Sequence, residues 1–213
     1  MLENLHWFGQ SCFRLDLAKV VYFDPYLLPG DSPKADIVFI SHEHFDHYSM
    51  EDIKLICSAD TAFVTDRSVG RKLQAASLAC GQIKPLAPGE STTIGHVKVE
   101  AVPSYNINKE FHPQDSKKVG FIVLIEDMRI YHAGDTDFIP EMKNFHCDIA
   151  LLPIGGTYVM SVEEAAQAAL AIKPKVAIPM HCRYGSTANS DAARFQDLLK
   201  GKIEVKILQR EGQ

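Results

Sequence analysis

A single mixed α/β domain over residues 1–213 is the simplest architecture for this chain. Three observations predict it. Short β-branched and aromatic runs come first in clusters, with helical patterns between the later ones. No internal repeat, low-complexity segment or linker divides the chain. With 46% hydrophobic and 23% charged residues, the composition is that of an ordinary globular protein with enough apolar material for a large core.

Residues 5–17 carry Trp7, Phe8, Phe13 and Leu15 in loose alternation and read as strand with a turn near Gly9. Residues 20–23 are a second short strand, stopped by Asp24-Pro25, and the stretch 26–34 is a loop. The apolar run 36–40 is a buried strand. Ser49 can cap a helix over 50–57, with Asp52 as a weak variant of the capping box. Residues 61–65 are a strand. A helix over 67–79 ends at Gly81, where a left-handed terminal residue belongs. From 83 to 101 strands return, with turns at Pro88-Gly89 and Gly95-His96, and a polar loop spans 103–118. A strand over 119–126, a tight turn at Asp127-Met128 and a return strand over 129–132 follow. Residues 148–154 form a buried strand. Ser161 and Glu164 fit a capping box for an alanine-rich helix to Ile172, which Pro174 stops. Residues 176–179 are a strand, Ser190 caps a helix over 191–200, and 204–208 form the last strand.

The chemistry concentrates in His42-Glu43-His44-Phe45-Asp46-His47, directly after the strand at 36–40. Imidazole nitrogens and a carboxylate oxygen suit zinc, and also iron or manganese. The His-x-His alternation lets two imidazoles reach one ion, while Asp46 and His47 can turn toward a second. A polar loop that happens to be histidine-rich is the bland reading, and the density of ligands at a strand end weighs against it. Three other strands run into polar groups: 97–101 into Ser104-Tyr105-Asn106, 129–132 into Gly134-Asp135, and 176–179 into His181. Strand ends that share an edge are a common ligand site in layered α/β folds. Taken alone, Asp135 is equally a turn residue and His181 equally a core histidine.

The net charge of −5 argues against binding nucleic acid through a broad basic surface. No apolar run approaches the length of a membrane helix. The first residues lack the basic and apolar regions of a secretion signal, so a cytoplasmic protein is expected. Five cysteines (12, 57, 80, 147 and 182) form no Cys-x-x-Cys pair, which fits reduced thiols rather than a disulfide framework.

Taken together, His42-x-His44-x-Asp46-His47, Gly134-Asp135-Thr136 and Pro179-Met180-His181 resemble the metallo-β-lactamase-fold superfamily over most of the chain. Trp7-Phe8-Gly9-Gln10-Ser11-Cys12-Phe13 and Phe23-Asp24-Pro25 resemble its compact metal-dependent hydrolases, related to the ascorbate-phosphate lactonases. The resemblance implies a four-layer αββα sandwich with a dinuclear site on its edge. It implies that His42 and His44 bind one divalent ion, that Asp46, His47 and His181 bind the second, and that Asp135 bridges. Zinc is the expected metal, with manganese or iron as alternatives. Asp24 would hydrogen-bond a ligand imidazole and fix its tautomer, or else be a plain Asp-Pro turn. The family usually offers another histidine where this chain has Tyr105-Asn106. His112 could replace it, or be an exposed loop histidine. Gln10 stands where relatives often carry histidine and has no assigned role. His6, His96, His132 and His146 read as structural or surface residues.

The implied reaction is hydrolysis of a small-molecule ester, lactone or phosphoester by a metal-bound hydroxide that Asp46 orients, with Asp46 shuttling the proton. The chain leaves little room for an added substrate domain, so a small, anionic substrate is preferred, with neither membrane nor nucleic acid as partner. Lys109, Lys117, Lys118 and Arg183 could meet a phosphate or carboxylate, or be solvated loop charges. Tyr105, Thr157, Tyr158 and Tyr184 could line the pocket. The competing reading is a non-catalytic metal-binding sensor or scaffold with an incomplete dinuclear site, kept open by Asn106. Asp46, which a purely structural metal site would not require, favours the enzyme. A di-iron flavin enzyme is disfavoured, because no flavin-binding domain follows.

Overall fold

The computed structural model describes residues 2–182 and 186–212. They fall into two compact units: Met1–Ala87 with Leu208–Gln213, and Pro88–Ile207. Two sheets and, among the described residues, four α-helices make a mixed α/β fold.

The first unit is a six-stranded sheet in chain order: β1 (Leu5–Gly9), β2 (Cys12–Asp16), β3 (Val20–Phe23), β4 (Ile37–Ile40), β5 (Ala62–Asp66) and β6 (Gln82–Leu86). Strands joined by tight turns pair antiparallel, β1 with β2 and β2 with β3. Longer crossovers then make β3 to β6 parallel. Two of those crossovers contain helices, α1 (Met50–Ile56) and α2 (Arg67–Ala75). Ser49 caps α1 by accepting from the Asp52 N–H, and Asp66 caps α2 by accepting from the Val69 N–H. Val38 and Ile40 pack with Ile53, Ile56, Phe63, Val69 and Leu73. On the opposite face of β4, Phe39 stacks on Phe23 with centroids 5.0 Å apart. Burial on both faces explains why this run is uniformly apolar rather than alternating.

The second unit is a seven-stranded sheet of β7 (Ser91–Ile94), β8 (Val97–Pro103), β9 (Val119–Ile125), β10 (Met128–His132), β11 (Ile149–Pro153), β12 (Val176–Met180) and β13 (Glu204–Val205). β7 to β10 are antiparallel and β10 to β13 parallel. The crossovers carry α3 (Val162–Ile172) and α4 (Ser186–Leu199). Both halves of the capping box on α3 form, between Ser161 and Glu164.

Each sheet thus changes from antiparallel to parallel at one strand, β3 or β10. In the first, the C-terminal ends of β1, β3 and β4 share one edge and deliver Gln10, Asp24 and Ser41-His42. In the second, β8, β10 and β12 deliver Ser104, Asp135 and His181 to one edge.

Several boundaries differ from the sequence reading. α2 stops at Ala75, and Ser77 (φ +49°) rather than Gly81 takes the left-handed turn. Gly81 instead passes close to the Asp60 carbonyl, where a Cβ would lie 3.0 Å from the oxygen. The β9–β10 turn is Glu126-Asp127, both at positive φ, one residue earlier than expected. α4 begins at Ser186, so Ser190 lies inside it rather than at its cap. The last strand is only Glu204–Val205. Short 3₁₀ turns at Leu2–Asn4, Gln114–Ser116 and Pro140–Asn144 were not expected. No helix among the described residues is long and apolar enough to cross a membrane, and the cysteines are free thiols.

A Cβ at Gly120 would lie 2.8 Å from the His132 carbonyl and 2.9 Å from that of Ala133, backbone that leads directly into Asp135. Gly120→Ala is therefore expected to lower the free energy of unfolding in urea by about 1–3 kcal/mol. Unchanged stability would contradict this packing.

Candidate metal centre

Asp24 ends β3 in a left-handed conformation (φ +43°) and is fully buried. A carboxylate withdrawn from water needs donors, and three are present. Oδ1 accepts from the Ser41 N–H at 2.7 Å. Oδ2 accepts from the Ser41 hydroxyl at 2.7 Å and lies 2.7 Å from His47 Nδ1. Ser41 has one hydroxyl hydrogen and gives it to Asp24. Toward His42 Nδ1, 2.9 Å away, its oxygen must accept, so His42 Nδ1 donates. Both imidazoles are therefore Nδ1–H tautomers, with Nε2 as the lone-pair nitrogen that can ligate a metal.

The rest of the histidine loop is equally constrained. The N–H groups of His47 and Tyr48 both donate to the His44 carbonyl, at 3.0 and 2.8 Å. The Ser68 hydroxyl lies 2.6 Å from Glu43 Oε2 and ties the loop to the start of α2. Ring nitrogens of His42 and His44 lie within 4.8 Å of each other. His47 Nε2 is 3.8 Å from Asp46 Oδ2, and Gln10 Nε2 is 3.5 Å from the same oxygen.

In the second unit, Gly134 (φ +62°) turns the chain so that Asp135 is presented just beyond β10. His181 (φ +47°) follows β12, with Nε2 3.5 Å from Asp135 Oδ1. Gly155 permits this approach, because a Cβ there would lie 2.6 Å from the His181 carbonyl oxygen. His112 is buried, and its ring nitrogen lies within 4.8 Å of an Asp135 carboxylate oxygen. Asp135 therefore has two imidazoles in reach, as a bridging carboxylate requires. Asn106 is a clasp for the His112 loop. Its side-chain amide donates to the carbonyls of Phe111 (2.9 Å) and Tyr158 (2.7 Å), and its backbone N–H donates to that of His112 (2.7 Å). Thr136 exchanges hydrogen bonds with the Tyr105 backbone, which joins the two loops.

The remaining candidates sit as follows. Tyr105 is buried, and its hydroxyl donates to the Glu141 carboxylate at 3.0 Å. Burial, and then that carboxylate, raise its pKa. Thr157 and Tyr158 are exposed. Lys109 is ion-paired with Asp137, Lys118 is buried, and Lys117 is exposed. Arg183 and Tyr184 lie outside the described residues. His6 lies between Asp16 and Glu211, His96 and His146 are exposed, and His132 is buried in β10. Burial pushes the Cys182 thiol up to about 12, so it stays protonated at neutral pH. A depression of about 240 Å³ over β7 to β10, lined by Lys98, Glu100 and Arg129, contains none of the candidate ligands. Ser41 is the residue that the sequence reading missed: nothing in the sequence singles it out.

Long-range ¹H–¹⁵N spectra of the metal-free protein should report Nδ1–H tautomers for His42 and His47. Ser41→Ala should disturb that of His42 first. An Nε2–H tautomer at either histidine in the unsubstituted protein would contradict the assignment.

A family model described as a beta-lactamase superfamily domain matches residues 4–181, across both units. A metal-dependent hydrolase of Methanosphaerula palustris is 30% identical over 215 residues, covering 96% of this chain and 95% of that protein. One from Pyrococcus horikoshii is 29% identical, covering 97% and 96%. The solved structure of a candidate metal-dependent hydrolase from Parabacteroides distasonis has a TM-score of 0.83 at 32% identity, covering 96% of this chain and 93% of that one. Near-complete coverage in both directions, with the ligand motif inside the matched span, leads to one conclusion: this chain belongs to the beta-lactamase superfamily and has the metallo-β-lactamase fold.

Proposed function

We propose that this protein is a hydrolase dependent on two divalent metal ions, acting on a small-molecule ester, lactone or phosphoester. His42, His44 and His112 would hold the first ion, Asp46, His47 and His181 the second, and Asp135 both. One observation carries the reading. Two ligand atoms about 2.1 Å from a shared tetrahedral ion lie roughly 3.4 Å apart. The separations of 3.8 Å for His47 Nε2 to Asp46 Oδ2 and 3.5 Å for His181 Nε2 to Asp135 Oδ1 are close to that spacing. Both are long for hydrogen bonds. A donor set of nitrogen and oxygen without thiolate suits zinc and accommodates manganese or iron.

When bound, such ions supply Lewis acidity, which brings the pKa of water toward neutrality and polarises a carbonyl or phosphoryl oxygen. The chain's own groups do the rest. Asp24 and Ser41 keep His42 and His47 in one tautomer and one orientation. Asp46, with Gln10 beside it, takes the proton of the attacking water and returns it to the leaving group. A cytoplasmic location and a soluble substrate, rather than a membrane or nucleic acid, complete the reading. The free thiols and the net charge of −5 support it. The sensor or scaffold alternative rested on the ligand missing at Asn106. With His112 within 4.8 Å of Asp135, a third imidazole is available, which favours the enzyme.

Asp46→Ala tests the mechanism. It is expected to lower kcat at least 100-fold on whichever of 4-nitrophenyl acetate, a γ-lactone and bis(4-nitrophenyl) phosphate the unsubstituted protein hydrolyses, while at least one metal equivalent is retained. Equal turnover would show that Asp46 does not have this role.

A further inference from the structure

We propose that Asp137 is a positioning residue for His112: paired with Lys109, it latches the loop over 105–112 and so sets how tightly the ion shared by His112 and Asp135 is held. The proposal rests on the hydrolase reading above and adds a residue that the ligand motif does not contain. Every group in it belongs to the second unit.

The loop is laid against the segment that carries Asp135. At its start, the Ser104 hydroxyl lies 2.9 Å from the carbonyl oxygens of both Ala133 and Asp135. The Asp137 N–H donates to the Tyr105 carbonyl at 2.9 Å, beside the hydrogen bonds that Thr136 makes there. The loop then closes on itself, because the Asn106 N–H holds the His112 carbonyl and its side-chain amide holds that of Phe111. His112 sits at φ +60°, a conformation that a non-glycine residue keeps only where its surroundings impose it. Asn106 supplies those contacts, so His112 is placed only as firmly as the chain at 106 and 107.

Asp137 fixes that point of the chain. Its Oδ2 accepts from the Ile107 N–H at 2.9 Å, and its Oδ1 is ion-paired with Lys109 Nζ. The two side chains of the pair are only 7% and 21% exposed. A pair so shielded from water contributes more than a surface ion pair, and its charge-assisted hydrogen bonds are roughly twice as strong as neutral ones. Removing either charge leaves the other withdrawn from water with its counter-charge gone. Both carboxylate oxygens of Asp137 are engaged by the loop, so its effect on the ion runs through His112.

Amide hydrogen exchange in the metal-free protein reads this latch with no ion present. Asp137→Asn keeps an acceptor for the Ile107 N–H and removes only the charge, and Lys109→Met removes the opposite charge. Each is expected to speed exchange of the Asn106 N–H at least tenfold, and the double substitution to do no more than the larger single one, because the pair acts as a unit. Exchange in β9 and β10 should stay unchanged. With zinc added, competition against a chelator should show one of two ions held at least tenfold more weakly in Asp137→Asn and the other unaltered. In a His112→Ala background, Asp137→Asn should not alter the ion that remains. Unchanged exchange at Asn106, or additive effects of the two substitutions, would overturn the proposal. So would faster exchange throughout β9 and β10, or both ions weakened alike, either of which would make Asp137 a residue of general stability only. Faster exchange at Asn106 as expected, with fewer than two zinc ions bound by the unsubstituted protein, would count against the dinuclear hydrolase reading and leave the latch standing.

Discussion

The buried carboxylate of Asp24 is the constraint on which the histidine loop depends. A charge at this depth costs several kcal/mol unless it is fully hydrogen-bonded. Its partners include the Ser41 N–H, the Ser41 hydroxyl and His47 Nδ1. Satisfying that one group fixes the exit of β4, the rotamer of Ser41 and the tautomers of two imidazoles. The hydrogen bonds of Asp24 and Ser41 orient the rings of both histidines. Removing Asp24 would take away the acceptor of three buried hydrogen bonds, so the fold and the site share this dependency.

Topology supplies the second half of the arrangement. In each sheet the change from antiparallel to parallel pairing falls at a strand followed within three residues by an aspartate, Asp24 after β3 and Asp135 after β10. The two serve different ends. Asp24 is enclosed by donors from its own sheet, whereas Asp135 lies within reach of His112 and His181. Left-handed residues at Asp24, His112 and His181 mark where the backbone has been bent to present these groups. Non-glycine residues hold such conformations only where the surrounding contacts impose them.

Local features were legible in the sequence, and long-range ones were not. The strand at 36–40 and the ligands after it stood out because a continuous apolar run and a dense His/Asp spacing are short-range signals. The capping box at Ser161 was readable for the same reason. The extra helical turn before Ser190 was not, because the run Ser186-Thr187-Ala188-Asn189-Ser190 offers several residues that can cap. Gly81 looked like a helix terminator, yet its role is to pass the Asp60 carbonyl, a contact 21 residues away in the chain. Asn106 read as a lost ligand; its function as a clasp depends on Tyr158, which no local pattern connects to it. Ser41 was overlooked for the same reason, since its hydroxyl matters only once Asp24 is beside it.

The measurement that bears most directly on the account is metal stoichiometry, by elemental mass spectrometry after reconstitution with zinc, for the unsubstituted protein and for His112→Ala. The account predicts two equivalents in the first and a loss of about one in the second. One equivalent or none in the unsubstituted protein, or two in both, would contradict the ligand assignment on which the proposed chemistry rests.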